Sequence, residues 1–193
     1  MAQQDQIKWN KKYKTTPSLL KHREPSQKLI NLVQNIKKGK ALDIACGTGK
    51  NSLYLAKQGF KVDAFDISNV AIDSINKKEE KNIFTQVVDL EGFIPKKNHY
   101  TLVVMTNYLD RKIIPHLLKA LQPEGILYIE TYMHHEKNTK PNSNPDFLLQ
   151  KDELKKFIDS NYKIIEYDEF DNDKEELFRM KKQSIIVKKE TII

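Results

Sequence analysis

The residues with the clearest chemistry in this 193-residue chain lie between Ala41 and Gly49, which read ALDIACGTG. An apolar strand runs here through a carboxylate, Asp43, into a glycine turn, and an amphipathic helix is predicted to follow. Gly47 and Gly49 allow the backbone to pass close to a ligand, and the start of the helix offers unpaired amide donors. In a dinucleotide-binding G-x-G-x-x-G pattern the third glycine would stand at Ser52. Asp43 would repel a pyrophosphate and attract a cationic ligand.

A second carboxylate, Asp66, lies nineteen residues after Gly47, at the end of the apolar run Val62 to Phe65. At this place an acidic side chain can accept hydrogen bonds from both hydroxyls of a ribose. Asp43 and Asp66 together therefore favour a nucleoside that carries an ammonium or sulfonium group. The alternative is an ordinary strand-to-helix turn at the glycines and a helix cap at Asp66, just before Ser68.

These residues, together with Val87-Val88-Asp89-Leu90 at the end of a third predicted strand, resemble the class I S-adenosylmethionine-dependent methyltransferase family. Within that family, the run from Ala41 to Asp66, including NSLYLA at 51–56, is similar to the tellurite-resistance methyltransferase branch. The resemblance covers roughly residues 5 to 189. It implies S-adenosylmethionine as the cofactor and methyl transfer as the activity.

Ligands of open α/β sheets bind beyond the carboxyl ends of the strands. The resemblance then implies that Asp43 reaches the amino group of the methionine part and that Asp66 holds the ribose. Asp89 would accept the adenine amino group, although it could equally be a solvated loop acid. The residues predicted to contact the cofactor are Asp43, Ala45, Cys46, Gly47, Thr48, Gly49, Asn51, Asp66, Ile67, Ser68, Asp89, Leu90, Thr106 and Asn107.

The acceptor side begins with TNYL at 106–109, which is predicted to form the floor beneath the sulfonium. Alignment of the nucleophile with the methyl group supplies much of the rate, so a general base is optional. A hydroxyl or ammonium acceptor needs a base, whereas a chalcogen oxyanion, selenide or thiolate does not. The catalytic candidates are Tyr108, Arg111 and His134, with His135 beside it. Arg111 could bind an anionic substrate through its planar guanidinium, or it could be an ordinary arginine on the surface of a helix. No metal site is predicted, because adjacent loop histidines rarely bind one ion without further ligands.

Composition narrows the class of protein. The 33 Lys and Arg exceed the 26 Asp and Glu, which gives a net charge of +7, but only three are arginines and the lysines are spread along the chain, so a nucleic-acid partner is not expected. The single cysteine, Cys46, can form neither an internal disulfide nor a CxxC site, which favours a reducing cytoplasm. The N-terminus lacks signal-peptide features, and no apolar stretch approaches the ~20 residues that span a bilayer. We expect a soluble cytoplasmic monomer or homodimer with a small-molecule acceptor.

Apolar runs alternate with amphipathic stretches along the chain, an order that produces parallel strands joined by helical crossovers. The predicted strands are 41–45, 61–66, 83–88, 100–106, 125–131, 162–169 and 183–189. The predicted helices are 9–13, 25–36, 50–58, 69–77, 111–121 and 151–159. This pattern predicts an α/β fold with a doubly wound, mostly parallel seven-stranded sheet, and the resemblance likewise implies a final antiparallel hairpin. We expect a single domain over 1–193, with an N-terminal helical cap at 1–38 and a Rossmann-like core at 39–193.

Two segments have roles that the residues leave open. Trp9 and Tyr13 either staple the N-terminal helix to the domain or belong to a lid. The stretch from Tyr132 to Pro145 is longer than the ~2–6 residues usual for such a connection. It is predicted to be a mobile flap over the acceptor site, with a surface insertion as the alternative.

The predicted function is methyl transfer from S-adenosylmethionine to a small molecule, with soft anions as one acceptor class. A methyltransferase for tRNA or protein is one alternative, although 106–109 lacks the Asn/Asp-Pro-Pro-Tyr/Phe signature of nucleic-acid amino-methylating enzymes. A non-catalytic protein that binds S-adenosylmethionine is the other. Tight cofactor binding without turnover would favour it.

Overall fold

The structure is a computed structural model that describes residues 2–21, 23–141, 143–172 and 176–191. Its strands are β1 (Lys40–Ile44), β2 (Lys61–Asp66), β3 (Ile83–Val87), β4 (Tyr100–Thr106), β5 (Leu121–Tyr132), β6 (Tyr162–Asp171) and β7 (Lys181–Lys189). They form one seven-stranded sheet in the order β3-β2-β1-β4-β5-β7-β6. The first five strands pair in parallel, whereas β7 runs antiparallel to β5 and β6. The predicted mostly parallel sheet with a final antiparallel pair is confirmed.

The helices are α1 (Ala2–Thr15), α2 (Gln27–Gln34), α3 (Lys50–Lys57), α4 (Asn69–Asn76) and α5 (Ile114–Ala120). Shorter 3-10 turns occur at Pro17–Leu20, Pro145–Phe147 and Glu153–Phe157. Among the residues that the structure describes, no helix is long and apolar enough to cross a membrane.

Several predicted boundaries are wrong. The helix predicted at 9–13 spans Ala2–Thr15, and three further differences have a local reason. α5 begins at Ile114 rather than at 111, because Asp110 first holds a turn by accepting a hydrogen bond from the amide of Lys112 at 2.8 Å. The predicted helix at 151–159 is only a 3-10 turn, preceded by Asp152 in a left-handed conformation with φ 57°. β5 begins at 121 rather than 125, because its first residue already pairs with Tyr100 of β4 before a bulge.

Both faces of the central strands β1 and β4 are buried, as expected of parallel strands between two helical layers. Leu42 and Val103 pack on the side of α5. Ala41 and Leu102 pack on the opposite side, against the apolar faces of α2 and α3. The packing holds the carboxyl ends of the parallel strands at one edge of the sheet, where ligands of this kind of fold bind.

The N-terminal helix α1 docks on the turn between β2 and α4. Asn10 accepts a hydrogen bond from the Ser68 hydroxyl at 2.7 Å, and the side-chain amide of Gln6 donates to the carbonyl of Ile67 at 3.0 Å. Tyr13, one turn further along α1, is buried. α1 therefore lies over the edge of the sheet that is formed by the carboxyl ends of the parallel strands.

Candidate active site

The turn after β1 adopts a backbone conformation that favours glycine. Gly47 has φ 55° and Gly49 has φ 81°, both in the left-handed region. A Cβ atom on Gly47 would lie 2.9 Å from the hydroxyl oxygen of Tyr13, and one on Gly49 would lie 2.7 Å from Cγ1 of Ile75. α1 and α4 thus enclose the turn, and a larger residue at either position would strain the backbone and displace a neighbour.

Backbone contacts hold the other predicted residues of this turn. Ala45 has φ 50°, and the amide of Cys46 donates to the carbonyl of Phe65 at 3.0 Å. The Thr48 hydroxyl donates to the carbonyl of Leu19 at 3.1 Å, which joins the turn to the N-terminal segment. Burial raises the pKa of the Cys46 thiol well above its ordinary value, so the thiol is protonated and fills space rather than acting as a nucleophile.

Asp66 joins the two turns that follow β1 and β2. Its Oδ2 accepts from the amide of Gly47 at 2.8 Å, and its Oδ1 accepts from the amide of Ser68 at 2.9 Å. Ser68 rather than Asp66 caps α4, because the Ser68 hydroxyl accepts from the amide of Ala71. Burial raises the pKa of Asp66, and the amide hydrogen bonds oppose the shift. Each carboxylate oxygen has a further lone pair, so Asp66 retains capacity to accept from ribose hydroxyls.

Asp43 lies buried beneath the turn with one oxygen unpaired. Its Oδ2 accepts from the Ser52 hydroxyl at 2.6 Å, whereas Oδ1 has no hydrogen-bond partner among the described residues. Asn51 donates to Oγ1 of Thr106 at 2.9 Å, and its own Oδ1 has no such partner either. Burial raises the pKa of Asp43 to about 7, although the bond from Ser52 opposes the shift. Unpaired buried acceptors are costly, and a ligand ammonium could satisfy them, so the residues fit the amino group of S-adenosylmethionine.

The predicted adenine contacts lie beside the end of β3. The amide of Val88 donates to the carbonyl of Asp66 at 2.9 Å, which brings the ends of β2 and β3 together. Leu90 is buried and Ile67 is half-buried. Asp89 is exposed and accepts from the backbone two residues further on. These residues share the edge with Asp66, and Asp89 is the most open of them.

The segment after β4 continues the same edge. The amide of Asn107 donates to the carbonyl of Glu130 at 2.9 Å, which ties the ends of β4 and β5 together. Burial, together with the nearby negative charges of Asp110 and Asp89, raises the pKa of Tyr108 to about 12. The Tyr108 hydroxyl is therefore protonated at neutral pH. It can donate a hydrogen bond but is a poor general base.

The guanidinium of Arg111 is occupied by the protein itself. Its Nε and Nη2 donate to the two carboxylate oxygens of Glu153 at 2.5 and 3.2 Å. Its Nη1 donates to the carbonyl of Asp146 at 2.6 Å, and Nη2 also donates to that of Leu148 at 2.9 Å. These contacts anchor the segment after the predicted flap, which favours the structural interpretation of Arg111 over substrate binding.

His134 and His135 follow the end of β5. His134 is exposed, and its backbone amide donates to the carbonyl of Leu149 at 2.8 Å. Nδ1 of His135 accepts from the amide of Lys137 at 3.1 Å. In the parts of the chain that the structure describes, no three His, Cys, Asp or Glu side chains are grouped as a metal site requires.

The predicted flap, 132–145, is tied to the strand β7 and the residues before it. Asn138 accepts the amide of the first residue of β7 at 2.8 Å. The amide of Thr139 donates to the carbonyl of Arg179, and the amide of Arg179 donates to the Thr139 hydroxyl, at 2.9 and 3.0 Å. Asn142 lies outside the described residues. These contacts secure the first half of the segment, and its mobility remains a prediction.

Sequence reasoning missed a buried polar cluster at the end of β5. The hydroxyl of Tyr128 donates to Oε2 of Glu130 at 2.5 Å and lies 2.9 Å from the hydroxyl of Ser26. Nζ of Lys182 lies 3.2 Å from Oε1 of Glu130, and both side chains are buried. Burial favours the neutral form of Glu130, but Lys182 and Tyr128 hold its pKa below its usual value. The available signal was the alternation of Tyr128, Glu130 and Tyr132 on one face of an otherwise apolar strand.

Further positive charge lies next to this cluster. Lys50, at the start of α3, is half-buried, and burial together with the charges of Lys182 and Arg23 lowers its pKa. A cleft lined in part by Arg23, Thr48 and Lys50 opens beside the glycine turn. Cations that interact with one another in this way favour the binding of an anion.

The sheet order, the left-handed glycine turn and the carboxylate at the end of β2 are those of a class I methyltransferase. The crystal structure of TehB from Haemophilus influenzae matches this fold with a TM-score of 0.73 and 25% identity, covering 96% of this chain and 67% of that one. A structure of a methyltransferase from Methanosarcina mazei, described as SAM-dependent, matches with a TM-score of 0.69. It is 18% identical, covers 88% of this chain and 100% of its own, and supports the fold alone.

The family model described as tellurite resistance protein TehB matches residues 1–191, so the chain belongs to this family. A curated relative from Haemophilus influenzae strain 10810, named a probable S-adenosyl-L-methionine-dependent methyltransferase TehB, is 31% identical over 99 residues. The match covers 49% of this chain and 35% of the relative, so it spans about a third of that protein's length. The predicted family and its tellurite-resistance branch are confirmed. The two curated relatives from Haemophilus influenzae are both named as probable S-adenosyl-L-methionine-dependent methyltransferases.

Proposed function

We propose that this chain transfers a methyl group from S-adenosylmethionine to a small anionic acceptor, such as a chalcogen oxyanion, a selenide or a thiolate. The observation that carries the proposal is the unpaired oxygen of Asp43 beneath a glycine turn, with Lys50 and Lys182 nearby. A buried carboxylate suits the cationic end of the cofactor, and the lysines suit an anionic acceptor. The description of the family as tellurite resistance proteins and the name of the relative as a probable methyltransferase support the same assignment.

The cofactor contacts follow from the groups that the turn presents. The unpaired oxygens of Asp43 and Asn51 accept from the α-amino group, and Asp66 accepts from the ribose hydroxyls. Arg23, at the cleft beside the turn, provides positive charge for the α-carboxylate. When bound, S-adenosylmethionine supplies an electrophilic methyl group; the acceptor's lone pair forms the new bond to carbon, and the sulfur keeps the electron pair of the broken bond.

The protein contributes mainly orientation, which suits an in-line displacement. Lys50 and Lys182 hold the acceptor's negative charge at the ends of β4 and β5. Tyr108 remains protonated, so it can orient an anion by donating a hydrogen bond, and a soft anion requires no base. α1, through Tyr13, covers the turn and limits the access of water.

The two alternatives, a macromolecular acceptor and a non-catalytic role, require different properties of the protein. A tRNA or protein acceptor calls for an extended contact area, whereas the lysines are spread along the whole chain. A non-catalytic role calls only for cofactor binding. A cytoplasmic location and a monomeric or homodimeric state remain predictions from the sequence.

The proposal is tested by measuring S-adenosylhomocysteine formation with selenite, tellurite, a small thiol, a catechol and bulk tRNA. We expect product with at least one of the anions or the thiol, and none with tRNA. Product with only the catechol or tRNA contradicts the acceptor class. Calorimetric binding of S-adenosylmethionine without product in any assay favours the non-catalytic alternative.

A further inference from the structure

Glu176 reaches from the surface into the cluster at the end of β5. The hydroxyl of Tyr132 donates to its Oε2 at 3.0 Å, and Nζ of Lys182 lies 3.6 Å from its Oε1. The same ammonium lies 4.9 Å from the centre of the Tyr132 ring. Tyr132 and Lys182 therefore present an O–H donor and a cation to a single carboxylate.

Lys182 does not need this carboxylate in order to be paired. Glu130 already neutralises Lys182 at 3.2 Å, and both of those side chains are buried, with exposed fractions of 5% and 7%. The side chain of Glu176 is 39% exposed, so it can move into solvent while Lys182 cannot. Lys50 adds further positive charge to the group. With Glu176 moved aside, the cluster would have a donor and excess positive charge available to another anion.

The turn that carries Glu176 is closed by a different residue. Asn172 donates from its side chain to the carbonyl of Phe178 at 2.9 Å and accepts from the amide of Met180 at 2.8 Å. Its own amide donates to the carbonyl of Met180 at 2.8 Å. Asn172 therefore links the end of β6 to the residues before β7 without the Glu176 carboxylate.

We propose that the Glu176 carboxylate occupies the position of the anionic acceptor, between Tyr132 and Lys182, and leaves it when the acceptor binds. We call the group Tyr132, Lys182 and Lys50 the anion site. A carboxylate and a chalcogen oxyanion share negative charge and planar or pyramidal oxygen acceptors, so the same donors serve both. The inference rests on the proposed function only for the charge of the acceptor. It makes Glu176 a specificity-determining residue that an anion must displace.

The test uses sodium selenite as a probe and the full chain loaded with S-adenosylhomocysteine. Glu176→Gln keeps the size of the side chain and one acceptor oxygen but removes the charge. Glu136→Gln is a matched exposed control in the 132–145 segment. We expect calorimetry to show selenite binding up to about fivefold tighter in Glu176→Gln than in the wild type, the scale of a partly exposed ion pair. Glu136→Gln should bind selenite as the wild type does. Equal affinity in all three proteins, equal gains in both variants, or binding in none of them overturns the inference.

A crystal structure separates displacement from simple repulsion. Wild-type crystals soaked in selenite should show the anion within hydrogen-bonding distance of Tyr132 or Lys182, and Glu176 turned away from the Tyr132 hydroxyl. An anion bound beside an unmoved Glu176 contradicts the proposal. Failure of the proposed function would look different from failure of this inference. Selenite would then bind as expected, but neither selenite nor any other anionic acceptor would yield S-adenosylhomocysteine.

Discussion

The proposed cofactor side and the proposed acceptor side of this site are built in opposite ways. On the cofactor side, one continuous stretch from Asp43 to Asp66 supplies the turn and both carboxylates. On the acceptor side, Ser26, Glu130 and Lys182 come from distant parts of the chain and meet only in the folded sheet. The cofactor side can therefore be recognised as a sequence motif, whereas the acceptor side depends on how the strands are arranged in the sheet.

The two sides also differ in how their buried polar atoms are satisfied. The cofactor side leaves one oxygen each of Asp43 and Asn51 without a partner among the residues that the structure describes. At the acceptor side, Glu130 has both Tyr128 and Lys182. Buried polar groups that are paired stabilise the fold, and those left unpaired point to a ligand. Removal of charge should therefore affect stability on one side and cofactor binding on the other.

The largest expected effect is on the acceptor side. Glu130→Leu leaves the buried Lys182 with only the more exposed Glu176, and should lower the free energy of unfolding by about 3–5 kcal/mol. Urea unfolding measures this, and the double variant Glu130→Leu/Lys182→Met should recover most of the loss. As a control, Lys28→Met removes a partly exposed ammonium that is paired with the exposed carboxylates of Glu166 and Asp168, and should cost about 1 kcal/mol or less. A loss of similar size in both single variants would mean that burial of the pair has no special importance.

On the cofactor side, Asp43→Asn should weaken S-adenosylmethionine binding by roughly 10- to 100-fold, about 1.5–3 kcal/mol for a hydrogen bond to a charged group. Stability should be unchanged or higher, because an unpaired buried carboxylate is lost. Asp63→Asn is the matched control. Asp63 is also buried but binds Tyr100 and Lys40 at the other end of the strands. If both variants bind the cofactor equally well, Asp43 has no direct contact with it.

Asp66→Ala tests the ribose contact at the other end of the same stretch. We expect at least a tenfold loss of affinity for S-adenosylmethionine, on the order of 1.5–3 kcal/mol. The variant loses the hydrogen bonds to the ribose, and it also loses the bond from the amide of Gly47, which holds the glycine turn in place. Calorimetry measures it, and NAD should not compete in the wild type. Unchanged affinity would reduce Asp66 to an organiser of the turn.

The pKa of Asp43 predicts a pH dependence that the acceptor side should lack. Because burial raises the pKa to about 7, affinity for the cationic cofactor should fall as the pH is lowered from 8 to 6, by at most about tenfold per unit. In the cofactor-free protein the native state binds more protons than the unfolded state between pH ~4 and ~7. The contribution of Asp43 to the free energy of unfolding therefore decreases as the pH rises through this window. Asp43→Asn should flatten both profiles, and a variant with the wild-type profiles would assign them to another group.

The smallest expected effect concerns the 132–145 segment, beside the acceptor side. Asn138→Ala removes the hydrogen bonds to Met133 and Lys181, and should cost about 1 kcal/mol of local stability. Hydrogen exchange should become faster in this segment while the strands are unaffected. If exchange is already fast in the wild type, these contacts do not restrain the segment in solution. If an acceptor then slows it, the predicted flap gains support.

Much of the fold followed from local patterns, whereas the misses involve conformations and contacts that the local pattern does not show. The apolar strands β1, β2 and β4 were predicted within one residue at each end, because buried parallel strands leave a continuous apolar run. The helix expected at 151–159 failed because Asp152 takes a left-handed conformation and Glu153 turns toward Arg111. Arg111 was predicted as an acceptor-site candidate because its partner, Glu153, is distant in the sequence and could not be recognised from it.

The sequence by itself determined the fold class and the family, and it predicted which stretch binds the cofactor, because strand, turn and carboxylate must be adjacent along the backbone to form that turn. Only the tertiary structure decided that Tyr13 closes over Gly47 and that Glu130 pairs with Lys182. Sequence spacing carries no information on such contacts, since they depend on which strands become neighbours in the sheet and on which face each side chain points. Burial then sets their energies, because a carboxylate or ammonium removed from water requires a partner that only the folded chain, or its ligand, can supply.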